Sequence, residues 1–365
     1  KYIISIDQGT TSTKSILYDN KINPIDSENI EIKQYYPHEG WVEHDPEEIW
    51  KSVLITIKKI LKNNKINPNQ ILSIGITNQR ETTVLWNKLT GKPIYRAIVW
   101  QDKRTSSYCE KIKNKKLDRF IQKKTGLILD SYFSATKIRW ILNNIKISKK
   151  LLKQNNLLFG TIDTWILWKL TKGKSHFTDV TNASRTMLFD IIEKDWSNEL
   201  LKVFNIPIKI LPKVRPNIYN FGITKIFGNK IRINSIAGDQ QASLIGQKCF
   251  DKGILKSTYG TGCFLLMNIG KKPIFSKNKL LTSIAYEIDG KTSYCLEGSI
   301  FTAGSAIQWL RDGLNIINSA KDSESFYKIA DDEQNIYMVP AFNGMGAPYW
   351  NQNARGAIYG INRNT

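Results

Sequence analysis

Tyr2-Ile3-Ile4-Ser5-Ile6-Asp7-Gln8-Gly9-Thr10-Thr11-Ser12-Thr13-Lys14-Ser15-Ile16-Leu17-Tyr18 places two strand-like runs on either side of a glycine. Alternation through residues 2–6 and an extended pattern through 14–18 predict a hairpin whose tip carries Thr10, Thr11 and Ser12. Backbone amides and hydroxyls converge at such a tip, which suits a phosphate. Asp7 stands at its entrance. Two anions repel, so Asp7 is not a phosphate ligand, but it can hold a magnesium ion that bridges to phosphate oxygens. Taken alone, Asp7 reads equally as a turn-stabilising Asx residue.

Strand-like runs at 3–7, 74–77, 98–101 and 236–239 each end in polar or charged residues, and active sites gather where strand ends meet loops. The last run leads into Ala237-Gly238-Asp239-Gln240-Gln241. A carboxylate beside a glycine can approach a bound hydroxyl and take its proton, which makes Asp239 the candidate general base. Its plain alternative is to cap a helix beginning at Gln240. Arg80-Glu81 follows the run at 74–77. Neighbours on a strand point to opposite faces, so a mutual surface pair is awkward, whereas a turn just after the strand lets both converge. Gly260-Thr261-Gly262 can bring backbone and a hydroxyl close to phosphates, or form an ordinary turn.

Ile6-Asp7-Gln8-Gly9-Thr10-Thr11-Ser12, Asn78-Gln79-Arg80-Glu81-Thr82-Thr83, Ala237-Gly238-Asp239-Gln240-Gln241 and Tyr259-Gly260-Thr261-Gly262-Cys263-Phe264 together resemble the FGGY carbohydrate kinases. Gly40-Trp41-Val42-Glu43-His44-Asp45-Pro46, Ala97-Ile98-Val99-Trp100-Gln101 and Gly344-Met345-Gly346-Ala347-Pro348-Tyr349-Trp350 extend the resemblance nearly end to end. It implies an α/β, actin-like ATPase (ribonuclease H-like) fold with two domains around a cleft. The expected domains are 1–247, with the polyol site and phosphate hairpin, and a partial 248–365, with nucleotide-binding elements.

The activity implied is phosphorylation of glycerol to sn-glycerol 3-phosphate by ATP with Mg2+. The resemblance places Arg80, Glu81, Tyr132, Asp239 and Gln240 on the hydroxyls, with Trp100 and Phe264 as walls. It places Thr10, Thr11, Ser12, Lys14 and Thr261 at the phosphates, Gly304 and Gln308 of a helix over 302–314 beside the adenosine, and Asp7 with Asp239 at the metal. The plain reading of Gly304 and Gln308 is a helix packing contact. Lys14 stands where close relatives often carry Arg, which keeps the charge but loses the fork. No GxxxxGK[ST] occurs, so a P-loop is not expected. The family continues past the stretch matching Arg355-Gly356-Ala357-Ile358-Tyr359-Gly360, so a truncated second domain is expected. The segment 228–232 is short where relatives controlled by fructose 1,6-bisphosphate carry a longer loop, and that control is not expected.

At 365 residues and 41% hydrophobic, the chain exceeds what one core usually serves, and two domains follow. Cys109, Cys249, Cys263 and Cys295 lack CxxC pairing, and His38, His44 and His176 lack ligand spacing, which argues against structural zinc or a disulfide framework and for the cytoplasm. No apolar stretch long enough to span a bilayer is present. The net charge of +21 and Lys111-Ile112-Lys113-Asn114-Lys115-Lys116 invite a nucleic-acid or membrane-surface reading. Over-use of Lys, Asn and Ile together points instead to solvated lysine faces. Asp45 as N-cap, Pro46, and Glu48 at the capping-box position precede apolar Ile49, Val53, Ile57, Ile60 and Leu61, with Lys51, Lys58, Lys59 and Lys62 mostly elsewhere around the axis. Helices are also expected at 136–144 and 163–170, with Trp140, Trp165 and Trp168 in the core. Glycerol, ATP and ADP and further copies of the chain, as dimer or tetramer, are the expected partners, without nucleic acid or membrane insertion. The rival readings are a kinase for another polyol or sugar, and a truncated, catalytically silent binding module.

Overall fold

The computed structural model describes residues 1–330, 335–342 and 344–363. Strands β1 (Tyr2–Gln8) and β2 (Ser12–Tyr18) form the expected antiparallel hairpin, with Asp7 opposite Lys14. Alternation sorts β1 cleanly: Ile4 and Ile6 are fully buried, while Asp7 faces the other side. β3 (Pro24–Glu31) continues the meander, β4 (Ile71–Asn78) lies parallel to β1, and β5 (Ile218–Thr224) pairs antiparallel with β6 (Ile231–Gly238). The sheet order is β5-β6-β4-β1-β2-β3, with β6 parallel to β4, the ribonuclease H-like arrangement. Gln8 sits opposite Asn78, and Asn78 opposite Gly238, so the three parallel strands end level. This register delivers Asp7, Arg80 and Asp239 to one end of the sheet.

Helix α1 (Pro46–Asn63) covers β1 to β3 through Ile49, Val53, Ile57 and Ile60, all fully buried. Burying each contributes roughly 1.5–3 kcal/mol. Asp45 caps it by accepting from the Glu47 amide at 2.8 Å, but Glu48 does not close a capping box; it accepts from the Tyr35 hydroxyl at 2.9 Å. Lys51, Lys58, Lys59 and Lys62 are exposed. Lys111, Lys115 and Lys116 are likewise exposed, and Lys113 pairs with Glu110 at 2.7 Å. α2 (Ser134–Asn144) and α3 (Ile162–Leu170) each begin slightly before the expected residue. Trp165 and Trp168 are buried, but Trp140 is only half-buried: it flanks the Arg104 guanidinium at 4.7 Å, with Trp41 at 3.7 Å from the same cation.

α4 (Asp239–Gly246) leads from the first sheet to a second, antiparallel one made of β7 (Leu255–Tyr259), β8 (Cys263–Gly270), β9 (Leu281–Ile288) and β10 (Lys291–Ile300), in the order β7-β8-β10-β9. α5 spans Gly304–Asp312, shorter than expected, because Ala303 at φ −133°, ψ −93° is not helical. Among the described residues all four cysteines are free and buried, and no helix is long and apolar enough to cross a membrane.

Candidate functional site

A cavity of about 160 Å³ opens at the level ends of β1, β4 and β6. It is smaller than the usual drug-sized pocket, as a small polyol requires. Thr10, Thr11, Arg80, Glu81, Trp100, Tyr132, Asp239, Gln240, Thr261 and Phe264 all line it. Gln308 instead lines a broader cleft of about 1060 Å³ that shares Thr10, Thr11, Trp100 and Thr261 with the first. Asp7, Ser12, Lys14 and Gly304 line neither.

Arg80 and Glu81 converge because the chain turns directly after β4. The Thr82 amide donates to the Arg80 carbonyl at 2.7 Å, and Glu81 sits in the left-handed region at φ 62°. That conformation is unfavourable for a residue with a Cβ, and strained backbone clusters at functional sites. Gly238 is required for a different reason. A Cβ there would lie 2.7 Å from Arg80 Cδ, so only glycine lets the arginine pass.

Arg80 lines the cavity, and its terminal nitrogens are also bonded to the second sheet. Its NH1 donates to Glu297 Oε2 at 2.7 Å and to Gln241 Oε1 at 3.1 Å, and its NH2 to Glu297 Oε1 at 3.1 Å. Its Nε edge lies 3.3 Å from Asp239 Oδ1. Glu81 Oε1 accepts from Arg185 Nε at 2.6 Å, and Arg185 NH2 donates to Glu297 Oε1 at 3.0 Å. Burial pushes the Glu81 carboxyl up, against the pull of Arg185 and Arg80. Burial also acts to raise Glu297, yet Arg185 and Arg80 outweigh it and hold that carboxyl well below its usual range.

Asp239 is the first residue of α4 and accepts from the Gln240 amide at 2.7 Å. It is thus a helix-terminal residue and a cavity residue at once. Burial raises its pKa, opposed first by Arg80. Asp7 is open to solvent on its side of β1, yet crowding by surrounding protein, then the charge of Asp239, lifts it to about 6, while Lys14 opposes the rise. Gln240 bridges onward: its Oε1 accepts from Lys256 Nζ, which also donates to Thr258 Oγ1 at 2.7 Å. Burial lowers Lys256 to about 8.

Trp100 forms a wall with Phe264 (ring centroids 5.9 Å apart) and Tyr132 (5.6 Å), and its indole N–H donates to Thr10 Oγ1 at 2.8 Å. The loop 260–262 folds against α5. Gly304 N–H donates to the Gly260 carbonyl at 2.9 Å, and Ser305 N–H and Oγ donate to the Thr261 carbonyl at 3.2 and 3.0 Å. A Cβ on Gly304 would meet the Gly260 carbonyl oxygen at 2.7 Å, which explains a glycine at the start of this helix.

Sequence reasoning missed Arg185, Gln241, Lys256 and Glu297. Glu297 alone left a trace: it shares the buried face of β10 with Cys295 and Ser299, where an unpaired acid is not tolerated. It also missed Gln79, whose amide nitrogen donates to the Gly9 carbonyl at 3.0 Å and to Gln8 Oε1 at 3.1 Å, and lies 3.3 Å from His44 Nδ1.

His44 is fully buried, and burial depresses it to about 4 from 6.5. A depressed histidine contributes stability above its unfolded pKa and loses it as pH falls toward the folded one. Between pH 7.5 and 5 the His44 share of unfolding free energy is expected to fall by about 2 kcal/mol. Urea midpoints at the two pH values check this, with His44→Gln expected to flatten the dependence.

A charged, aromatic-walled cavity at the strand ends of a ribonuclease H-like sheet, beside a hydroxyl-bearing hairpin, defines a small-molecule kinase. The FGGY family of carbohydrate kinases, N-terminal domain, matches residues 2–246, and its C-terminal domain matches residues 255–365. The chain is 53% identical over 366 residues to a glycerol kinase of Sinorhizobium fredii and 54% identical over 366 residues to one of Rhizobium meliloti, covering 100% of this chain and 74% of each relative. It superposes on the crystal structure of Plasmodium falciparum glycerol kinase with ADP at a TM-score of 0.88 and 40% identity, covering 100% of this chain and 73% of that one. A ligand-bound xylulose kinase from Lactobacillus acidophilus shares the fold at TM-score 0.86 and 24% identity, with 100% and 73% coverage. The chain belongs to the FGGY family of carbohydrate kinases.

Proposed function

We propose that this chain transfers the γ-phosphoryl group of ATP to glycerol, giving sn-glycerol 3-phosphate and ADP. The observation that carries this reading is the convergence of Arg80, Glu81 and Asp239 on one small cavity walled by Trp100, Tyr132 and Phe264. The identity to glycerol kinases supports it. Glycerol offers three hydroxyls on a short carbon chain, which matches a guanidinium edge, carboxylate oxygens and aromatic walls. Arg80, Glu81, Tyr132, Asp239 and Gln240 hold the hydroxyls, while Trp100 and Phe264 enclose the carbons. Asp239 takes the proton from the C3 hydroxyl, and that oxygen attacks the γ-phosphorus as the bond to the β,γ-bridging oxygen of ADP breaks.

Thr10, Thr11, Ser12, Lys14 and Thr261 face the phosphates, and Gly304 and Gln308 the adenosine. Among the described residues no cluster of three or more metal-ligating side chains exists, but Asp7 on β1 and Asp239 directly after β6 stand at the level ends of the two parallel strands that flank β4, and oxygen donors of this kind suit magnesium. Asp7 and Asp239 would hold that ion, which neutralises developing phosphate charge. The domain boundary falls near Gln247, the compartment is the cytoplasm, and the chain assembles as a dimer or tetramer, which light scattering reads directly.

Production of glycerol 3-phosphate by the purified chain, dependent on ATP and magnesium, with xylulose, ribulose and gluconate as rival acceptors, tests the reading. A rival acceptor outperforming glycerol, or no turnover, overturns it. Trp100→Phe keeps an apolar wall but loses the N–H to Thr10, a bond worth about 0.5–1.5 kcal/mol, so kcat/KM is expected to fall roughly 2- to 12-fold. Trp100→Ala, which also opens the wall, is expected to fall further in the same steady-state assay.

A further inference from the structure

We propose that Glu297 and Arg185 are positioning residues for acceptor recognition: they lock the two side chains that read the polyol, Arg80 and Glu81, into one geometry. The proposal rests on the glycerol reading above. Arg80, Glu81, Arg185 and Glu297 are each at most 3% exposed, and they alternate in sign along the path Arg80–Glu297–Arg185–Glu81, which a longer contact of 3.9 Å between Arg80 Nε and Glu81 Oε1 closes on itself. Glu297 takes both terminal nitrogens of Arg80, and Ser299 Oγ donates to the same carboxylate at 2.9 Å. Arg185 NH1 donates to Ser283 Oγ at 2.9 Å, which fixes that guanidinium from the second sheet as well.

The geometry leaves little choice to the acceptor-binding groups. With both terminal nitrogens bonded to Glu297, Arg80 is held with its Nε beside Asp239 at 3.3 Å. With Oε1 held by Arg185 at 2.6 Å, Glu81 has its other oxygen to offer. Spacing between hydroxyl partners is therefore set by residues that do not line the cavity. Glu297 and Ser283 lie on the second sheet, Arg80 and Glu81 at the end of the first, so the path also ties the two sheets at the acceptor site. Taking four charges out of water is less favourable than an apolar replacement would be, so stability alone gives no reason for such a path. Pre-organisation of a binding group does, because an arginine fixed in advance loses no rotamer freedom on binding.

Glu297→Gln keeps the shape and removes the charge. In the full chain it is expected to raise KM for glycerol roughly 10- to 100-fold, leave KM for ATP within about 2-fold, and lower kcat less than KM rises. Arg185→Lys, which keeps charge but loses the fork, is expected to behave alike, and Ser283→Ala, which keeps every charge, to raise glycerol KM roughly 2- to 5-fold. Restoration toward the parent value in Glu297→Asp supports the charge contact. Unchanged glycerol KM in folded Glu297→Gln, or equal losses for glycerol and ATP, overturns the inference while the glycerol reading stands. Should Glu297→Gln not fold, the Ser283→Ala and Arg185→Lys values decide by the same criterion. A parent chain silent toward glycerol overturns both.

Discussion

Asp239→Asn is expected to lower kcat for glycerol phosphorylation roughly 10²–10⁴-fold, the range typical for losing a positioned general base. Asn is nearly isosteric, and its side-chain oxygen can still accept from the Gln240 amide, now at 2.7 Å, so the start of α4 should survive. Arg80 loses a carboxylate at 3.3 Å but keeps its two bonds to Glu297, so the acceptor pocket should keep its shape. The prediction therefore separates turnover from binding: glycerol remains detectable by calorimetry while the chemical step fails. Raising magnesium distinguishes the two roles given to Asp239, because weakened metal binding is recovered at high concentration and a lost base is not. Near-normal turnover in this variant would remove Asp239 from the mechanism.

What the sequence made legible is what short-range chemistry decides. The hairpin follows from alternation and one glycine, and β1 sorts Ile4 and Ile6 from Asp7 by parity alone. Asp239 is readable because strand end, glycine and acid are contiguous. The convergence of Arg80 and Glu81 was conditional on a turn; the turn exists, but nothing in the residues marks Glu81 for a positive φ. Glu48 fits a capping box by spacing and is claimed instead by Tyr35, a tertiary partner that spacing does not see. Trp140 has helical periodicity on its side, yet its place beside Arg104 at the margin of the core depends on where a distant loop puts that cation. Arg185 and Glu297 lie beyond such reasoning altogether. Arg80 and Glu297 are 217 positions apart, Arg185 and Glu81 are 104, and only the closed fold reveals that each neutralises the other.

Arg80→Ala is expected to weaken glycerol binding and destabilise the fold together, which a surface arginine would not do. The binding loss follows from the Arg80 guanidinium, which lines the cavity: a hydrogen bond to a charged group contributes roughly 1.5–3 kcal/mol, so glycerol KM should rise roughly 10- to 150-fold. The stability loss follows from Glu297, which is fully buried and gives up two of its donors, keeping Arg185 and Ser299. Breaking a buried ion pair from one side costs roughly 3–5 kcal/mol, and the remaining arginine should hold the loss near the lower end. Removing the side chain also empties the space that Gly238 leaves for Cγ and Cδ, adding a cavity term. Arg80→Lys separates the contributions: it restores a charge toward Glu297 without the fork, so stability should recover more than binding does. Steady-state kinetics with glycerol and urea unfolding of the three proteins check both halves. An unchanged Michaelis constant in Arg80→Ala would count against the pocket assignment, and unchanged stability would show that Glu297 finds its charge partner in Arg185 alone.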